Sequence, residues 1–247
     1  MKILLSNDDG VHARGISVLF DYLSQEHQVT VVAPDRNCSG MSNALSLQSP
    51  LRLQQMQNGF YAVNGTPSDC VQIGISHLLE EEPDLVVSGI NHGPNLGDDT
   101  IYSGTVAAAL EGRHMGLPAL AVSLCGKQNE QFETAAAMTC KIIQRLANHP
   151  LSSDEILNIN VPNIALEEIK GIRATRQGRR HRADTMLKTL DPFGQTIYWY
   201  GKLGAEADAG KGTDFDAVNQ GYCSVTPLSV DMTVHQHIEK MNTWLKP

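Results

Sequence analysis

Apolar positions in the first two thirds of the chain alternate between two spacings. Short runs at 3–6, 29–33, 85–88, 120–123 and 156–161 have the length and β-branched content of buried strands. Between them, Ile16, Leu19, Phe20 and Leu23 recur at helical spacing within 15–24. Further helices are predicted over about 66–79, 103–115 and 130–147. Thr66 is a natural cap for the second of these, with Pro67 in the first helical position, and Gly116 ends the third. Pro34 stops the second strand, and short strands at 45–53 and 60–63 are expected around an Asn58-Gly59 turn. Strands alternating with helices predict an α/β fold with a mostly parallel sheet covered on both faces. Ligands of such sheets lie beyond the carboxyl ends of the strands. The polar loops 7–14, 34–43 and 89–103 are expected to converge there.

The last hundred residues are patterned differently. Asp191-Pro192-Phe193-Gly194 has turn chemistry, and Thr196-Ile197-Tyr198-Trp199-Tyr200 follows it as a strongly strand-forming, aromatic run. A β-hairpin is expected, either protruding as an arm for subunit contact or folded back on the core. An amphipathic stretch at 235–245 closes the chain, and no linker or repeat divides it. The expected organisation is one domain over 1–247, with a core over roughly 1–165 and a C-terminal part over 166–247.

Composition narrows the partners. Nineteen basic and 27 acidic residues leave a net charge of −8, which argues against a stable nucleic-acid partner, since such affinity comes from neutralising phosphates. A small anionic substrate remains compatible, because a bound cation reverses local charge. The five cysteines are scattered with no C-x-x-C pair, so a reducing cytoplasm is the expected location. The apolar run before Asp8 is too short for a signal peptide or a membrane span.

Three loops carry the chemistry. Asn7-Asp8-Asp9-Gly10 follows the first strand. Adjacent carboxylates there repel unless a cation, a proton or a basic partner lies between them; an Asx turn with Asp9 as a cap is the competing reading. The second loop, 34–43, brings Ser39 and backbone amides close to a ligand, or is an ordinary surface loop. The third has three glycines and two asparagines over the nine residues 89–97, which permits close backbone approach. It ends in Tyr102-Ser103-Gly104-Thr105, where a helix N-terminus presents free N–H groups and hydroxyls to an anion such as phosphate. Asp, Ser and Asn oxygens are hard ligands that suit Mg²⁺ or Mn²⁺ better than zinc. His12 and His92 lie in these loops, either as exposed loop histidines or as proton donors to a leaving oxygen. The chemistry points to a metal-dependent phosphatase acting on small phosphomonoesters.

The ordered motifs closely resemble the SurE family of 5′/3′-nucleotidases. They are Ile3-Leu4-Leu5-Ser6-Asn7-Asp8-Asp9-Gly10, Val32-Ala33-Pro34-Asp35 with Ser39-Gly40, Gly65-Thr66-Pro67-Ser68-Asp69-Cys70-Val71, and the run from Ser88 through Tyr102-Ser103-Gly104-Thr105 to Glu111-Gly112. The likeness continues through Leu157-Asn158-Ile159-Asn160-Val161-Pro162, Gly212-Thr213-Asp214 and Gly221-Tyr222-Cys223-Ser224-Val225-Thr226-Pro227-Leu228. It implies a cytoplasmic hydrolase of nucleoside 5′- and 3′-monophosphates, with short polyphosphate as a further substrate. It also implies a Rossmann-like core, a C-terminal arm for homodimer or homotetramer assembly, and one divalent metal ion (Mg²⁺ or Mn²⁺) per subunit. By position, Asp8, Asp9, Ser39 and Asn91 match the metal ligands, and Asn95, Ser103, Gly104 and Thr105 match the phosphate-binding side. The chain departs from the pattern at Arg14, where relatives often have proline, and at Cys38, where a basic or polar residue is usual.

The expected mechanism is in-line attack of water on phosphorus, with Asp8 or Asp9 as proton acceptor. A phospho-aspartate phosphatase is the nearest rival, but position 10, where its second acid belongs, is glycine. A phosphate-binding regulatory domain without turnover is a second alternative. A dinucleotide oxidoreductase fits worse, since no G-x-G-x-x-G follows the first strand.

Overall fold

The structure is a computed structural model, and it describes every residue except 127, 129, 147, 152–154 and 247. The first two thirds run β1 (Lys2–Ser6), α1 (Arg14–Leu23), β2 (Gln28–Pro34), β3 (Leu53–Gln55), β4 (Tyr61–Val63), α2 (Pro67–Ile73), β5 (Leu85–His92), α3 (Gly104–His114), β6 (Ala119–Cys125), α4 (Phe132–Leu146) and β7 (Glu155–Pro162). Then come β8 (Ile172–Ala174), β9 (Arg179–Arg180), β10 (Leu187–Leu190), β11 (Thr196–Trp199), β12 (Glu206–Asp208), α5 (Asp214–Asn219), β13 (Cys223–Ser229) and α6 (Ile238–Trp244). Ala147, the last residue of the helix predicted from 130, lies outside the described residues.

The main sheet has the order β3-β4-β2-β1-β5-β6-β7-β13-β8. From β4 to β7 neighbours are parallel, while β3 on β4 and β13 on β7 are antiparallel. Alternation along each strand divides the apolar residues between two layers. Ile3, Leu5, Val87 and Val122 face α1 and α4, meeting Ile16, Leu19, Phe132 and Ile143. Leu4, Val32, Val86 and Ala121 face the other way, onto Val71 of α2 and Val106 and Ala109 of α3. The doubly covered α/β sheet predicted from the pattern is therefore present. Among the described residues no helix is long and apolar enough to cross a membrane.

Three local expectations are revised. Residues 45–51 are irregular, because their polar groups bond to α2: Ser46 N–H donates to Asp69 and the Thr66 hydroxyl to Ala44 O. The helix beginning at Pro67 gives way to a π-helical turn over Gly74–Leu78; its start is as predicted, with Thr66 and Asp69 capping reciprocally. The strand predicted at 85–88 continues to His92 past an irregularity at the cis Gly89–Ile90 bond, and Asn91 and His92 pair with Ser123 and Leu124 of β6.

The hairpin forms at the expected place. Strands β10 and β11 make a two-stranded sheet of their own, closed by Gly194 N–H on Asp191 O. Leu187, Leu190, Phe193, Tyr198 and Trp199 on it are exposed, and α6 buries none of its residues.

Candidate active site

Loops leaving the carboxyl ends of β1, β2 and β5 meet as anticipated. Val11 N–H donates to Pro34 O at 2.8 Å and Cys38 N–H to Asp8 O at 2.7 Å, which seats the second loop on the first. The Ser42 hydroxyl donates to Ile101 O at 2.7 Å, and Ser42 N–H to Tyr102 O at 3.2 Å, joining the second loop to the third. The Asx turn at the end of β1 is present, but Asn7 makes it. Its amide donates to Gly10 O and its oxygen accepts Gly10 N–H. Both aspartates are thereby left for other work.

Asp8 is buried, and its Oδ1 accepts the Thr105 hydroxyl at 2.5 Å. Burial pushes its pKa up to about 6; the Thr105 hydrogen bond works against that rise and the neighbouring Asp9 charge adds to it. Asp9 is half-buried, and its Oδ2 accepts His92 N–H at 2.9 Å. Desolvation raises its pKa too, partly offset by that backbone bond and by the His92 ring. Asp9 keeps one oxygen that no protein group holds among the described residues, whereas the Asp8 carboxylate is also approached by the backbone N–H groups of Thr105 and of Asp8 itself. Two adjacent carboxyls both shifted upward are short of positive charge.

Ser39 follows Cys38, so the bond from Cys38 to Asp8 O places it next to the first aspartate, with its side chain exposed. Asn91 precedes His92 and so stands beside Asp9. Its amide nitrogen donates to Gly93 O at 2.9 Å, leaving Oδ1 as a free acceptor. Two carboxylates, a hydroxyl and an amide oxygen form a hard-donor set that fits Mg²⁺ or Mn²⁺. Among the described residues no three His, Cys, Asp or Glu side chains gather at one point.

The phosphate side predicted from the sequence divides. Ser103 caps α3, its hydroxyl accepting Val106 N–H at 3.1 Å. Gly104 lies against Asp8, where a Cβ would come within 2.7 Å of Asp8 Cβ and 2.9 Å of its Oδ2. Only glycine lets the first turn of the helix approach the carboxylate so closely. Thr105 gives its hydroxyl hydrogen to Asp8 and so fixes that carboxylate. Asn95 is buried as well: its amide donates to Ser123 Oγ at 2.7 Å, its N–H to Asn160 Oδ1, and its carbonyl accepts from Asn158 and Asn160. Sequence reasoning missed the role of Asn158 and Asn160; a polar residue at every second position of a buried strand is the signal for this network. The His92 ring pairs with Glu130 at 2.6 Å, edge-on to Phe132, while staying near enough to Asp9 to lower its pKa. A cavity of about 420 Å³ at the amino-terminal edge of the sheet, lined by Lys2, Gln28 and Glu81 among others, is remote from all of these groups.

The family model described as survival protein SurE matches residues 3–184. The chain belongs to the SurE family. Its relatives include a 5′-nucleotidase SurE from Pseudoalteromonas atlantica, 63% identical over 99% of each chain. A 5′/3′-nucleotidase SurE from Klebsiella pneumoniae is 58% identical over 100% of this chain and 97% of its own. The crystal structure of a SurE protein from Aquifex aeolicus superposes with a TM-score of 0.89 at 43% identity, covering all of both chains. The SurE fold therefore extends through the C-terminal part, beyond the family model's own limit.

Proposed function

We propose that the chain is a divalent-metal-dependent nucleotidase that hydrolyses nucleoside 5′- and 3′-monophosphates to nucleoside and phosphate. The observation that carries the reading is the meeting of Asp8 and Asp9 with the first turn of α3 at one edge of the sheet, in a chain whose relatives are named 5′- and 5′/3′-nucleotidases. Asp8, Asp9, Ser39 and Asn91 would hold one Mg²⁺ or Mn²⁺. Such an ion supplies Lewis-acid polarisation of the phosphate and acidifies an attacking water.

The chain's own groups supply the rest. Thr105 O–H and His92 N–H each fix one carboxylate oxygen, so both aspartates are held in place before substrate arrives. One of the remaining oxygens takes the proton of the attacking water. The Gly104 N–H and the Ser103 hydroxyl at the head of α3 bind the phosphate oxygens, aided by the helix dipole. Asn95 lies on the loop that leads to that turn and is fixed there by Ser123 and Asn160.

Short polyphosphate fits the same cradle. The C-terminal part over 166–247 belongs to the single domain over 1–247 and carries the arm. The exposed apolar hairpin and α6 support homodimer or homotetramer assembly. Five free cysteines support a cytoplasmic location. Phosphate release from AMP or GMP, with Mn²⁺ or Mg²⁺ and then with a chelator, tests the reading. Turnover that survives chelation, or absence of turnover with every divalent ion, would refute it.

A further inference from the structure

The Gly212-Thr213-Asp214 motif has no part in the chemistry above, yet its aspartate is fully buried. Asp214 Oδ2 accepts Gly97 N–H at 2.7 Å, and Oδ1 accepts Gly178 N–H at 2.8 Å and Phe215 N–H at 3.0 Å. It is not needed as a cap for α5, since the Thr213 hydroxyl already accepts Asp216 N–H. A buried carboxylate with no ion-pair partner among the described residues costs desolvation, offset here by charge-assisted bonds to backbone donors. Two of those donors come from segments distant in sequence, so its bonds go to tertiary structure.

Gly97 opens the 3₁₀ turn Gly97–Tyr102, which runs directly into Ser103 and α3. The C-terminal part approaches so closely that a Cβ at Gly97 would lie 2.7 Å from the Phe215 ring and 2.9 Å from Gly178 O. Further bonds follow the same route. Gln177 Nε2 donates to Gly97 O at 3.0 Å and to Thr100 Oγ1 at 2.7 Å, and Arg180 Nε pairs with Asp99 at 2.7 Å. Asn158 and Asn160 hold the preceding residue pair through Asn95. Residues 95–100 are thus held almost wholly by side chains from β7 and the C-terminal part.

We propose that Asp214 is a positioning residue for phosphate recognition: by holding Gly97 against Gly178 it sets the course of 97–102 and the direction in which the first turn of α3 presents its N–H groups. The proposal rests on the nucleotidase reading for the identity of the anion. Metal binding depends less on the clamp, because Asp9 is held by His92 and Asn91 by Gly93, and of the four candidate ligands Asp8 is the one that bonds to the first turn of α3.

The test is Asp214→Asn, which keeps one acceptor and turns an N–H toward a backbone N–H. Inorganic phosphate binding in the presence of Mn²⁺, read by calorimetry, is expected to weaken roughly tenfold, with KM rising in step. Mn²⁺ affinity is expected to fall less than phosphate affinity, and amides of 97–105 to exchange faster. Gln177→Ala is expected to move the same readouts in the same direction but less far, and it decides the matter if the Asp214→Asn chain fails to fold. Phosphate affinity unchanged in the folded variants, or falling no further than Mn²⁺ affinity, overturns the proposal. Wild-type protein that binds phosphate without releasing it from nucleotides would refute the nucleotidase reading instead, leaving the clamp to be judged on phosphate binding alone.

Discussion

Asp8 and Asp9 are each held by a hydrogen bond to one carboxylate oxygen, and the partners that hold them differ in kind. Thr105 holds Asp8 with a side chain, so that contact can be removed without touching the backbone. Thr105→Val preserves shape and deletes the hydroxyl. The bond lowers the Asp8 pKa, so its loss lets the carboxyl hold its proton more tightly. Mn²⁺ affinity at neutral pH is expected to fall about tenfold, read by calorimetry, with the fold intact by circular dichroism. The raised pKa also has a stability consequence. A carboxyl whose folded pKa is about 6 against 3.8 for the free group favours the folded state below pH 3.8 and loses that contribution as pH rises through about 6. In melts of chelated protein, the contribution of Asp8 is expected to decline across that window. Asp8→Asn, which has no such titration, is expected to flatten the decline. An unchanged pH profile in the Asp8→Asn protein would count against the assigned shift.

At the level of elements, α3 is placed by its contact with the β1 loop, and Gly104 sets the distance. Alanine is the better helix former by about 1 kcal/mol, so propensity alone makes Gly104→Ala stabilising. The contact wins: a Cβ 2.7 Å from Asp8 Cβ forces the helix or the carboxylate aside, an overpacking cost of about 1–3 kcal/mol. The Gly104→Ala enzyme is expected to lose at least about a hundredfold in kcat/KM and to gain nothing in Tm. Strand and helix periods made most elements legible from sequence, because each period reports local burial. Elements whose partners are distant were not legible. Residues 45–51 look strand-like, but the contacts of Ser46 with Asp69 and of Ala44 with Thr66 tie that segment to α2. The glycine-rich stretch after Ser88 hid the continuation of β5, which pairs with β6 only beyond the irregularity. The bond of Thr105 to Asp8 was not legible either, since nothing local in the sequence says that its hydroxyl reaches back 97 residues.

Across the whole molecule, the C-terminal part serves two directions. Its root, around Gln177, Gly178 and Arg180, clamps the loop that leads into α3. Its hairpin presents Phe193, Tyr198 and Trp199 to solvent, clustered exposed aromatics of the kind that mark a contact surface. Tyr198→Glu with Trp199→Glu is expected to convert an assembled species to monomer by light scattering, without loss of secondary structure. A wild-type chain that is already monomeric would contradict the arm's proposed role.

The central claim is that Asp8 and Asp9 bind a divalent ion that drives hydrolysis of nucleoside monophosphates. The most direct test is phosphate release from AMP by wild-type, Asp8→Asn and Asp9→Asn proteins over a Mn²⁺ titration. Turnover in the wild type is expected to be abolished by chelator and restored by the ion, with at least about a hundredfold loss in each variant. Either variant turning over AMP at the wild-type rate with the same Mn²⁺ dependence would contradict it.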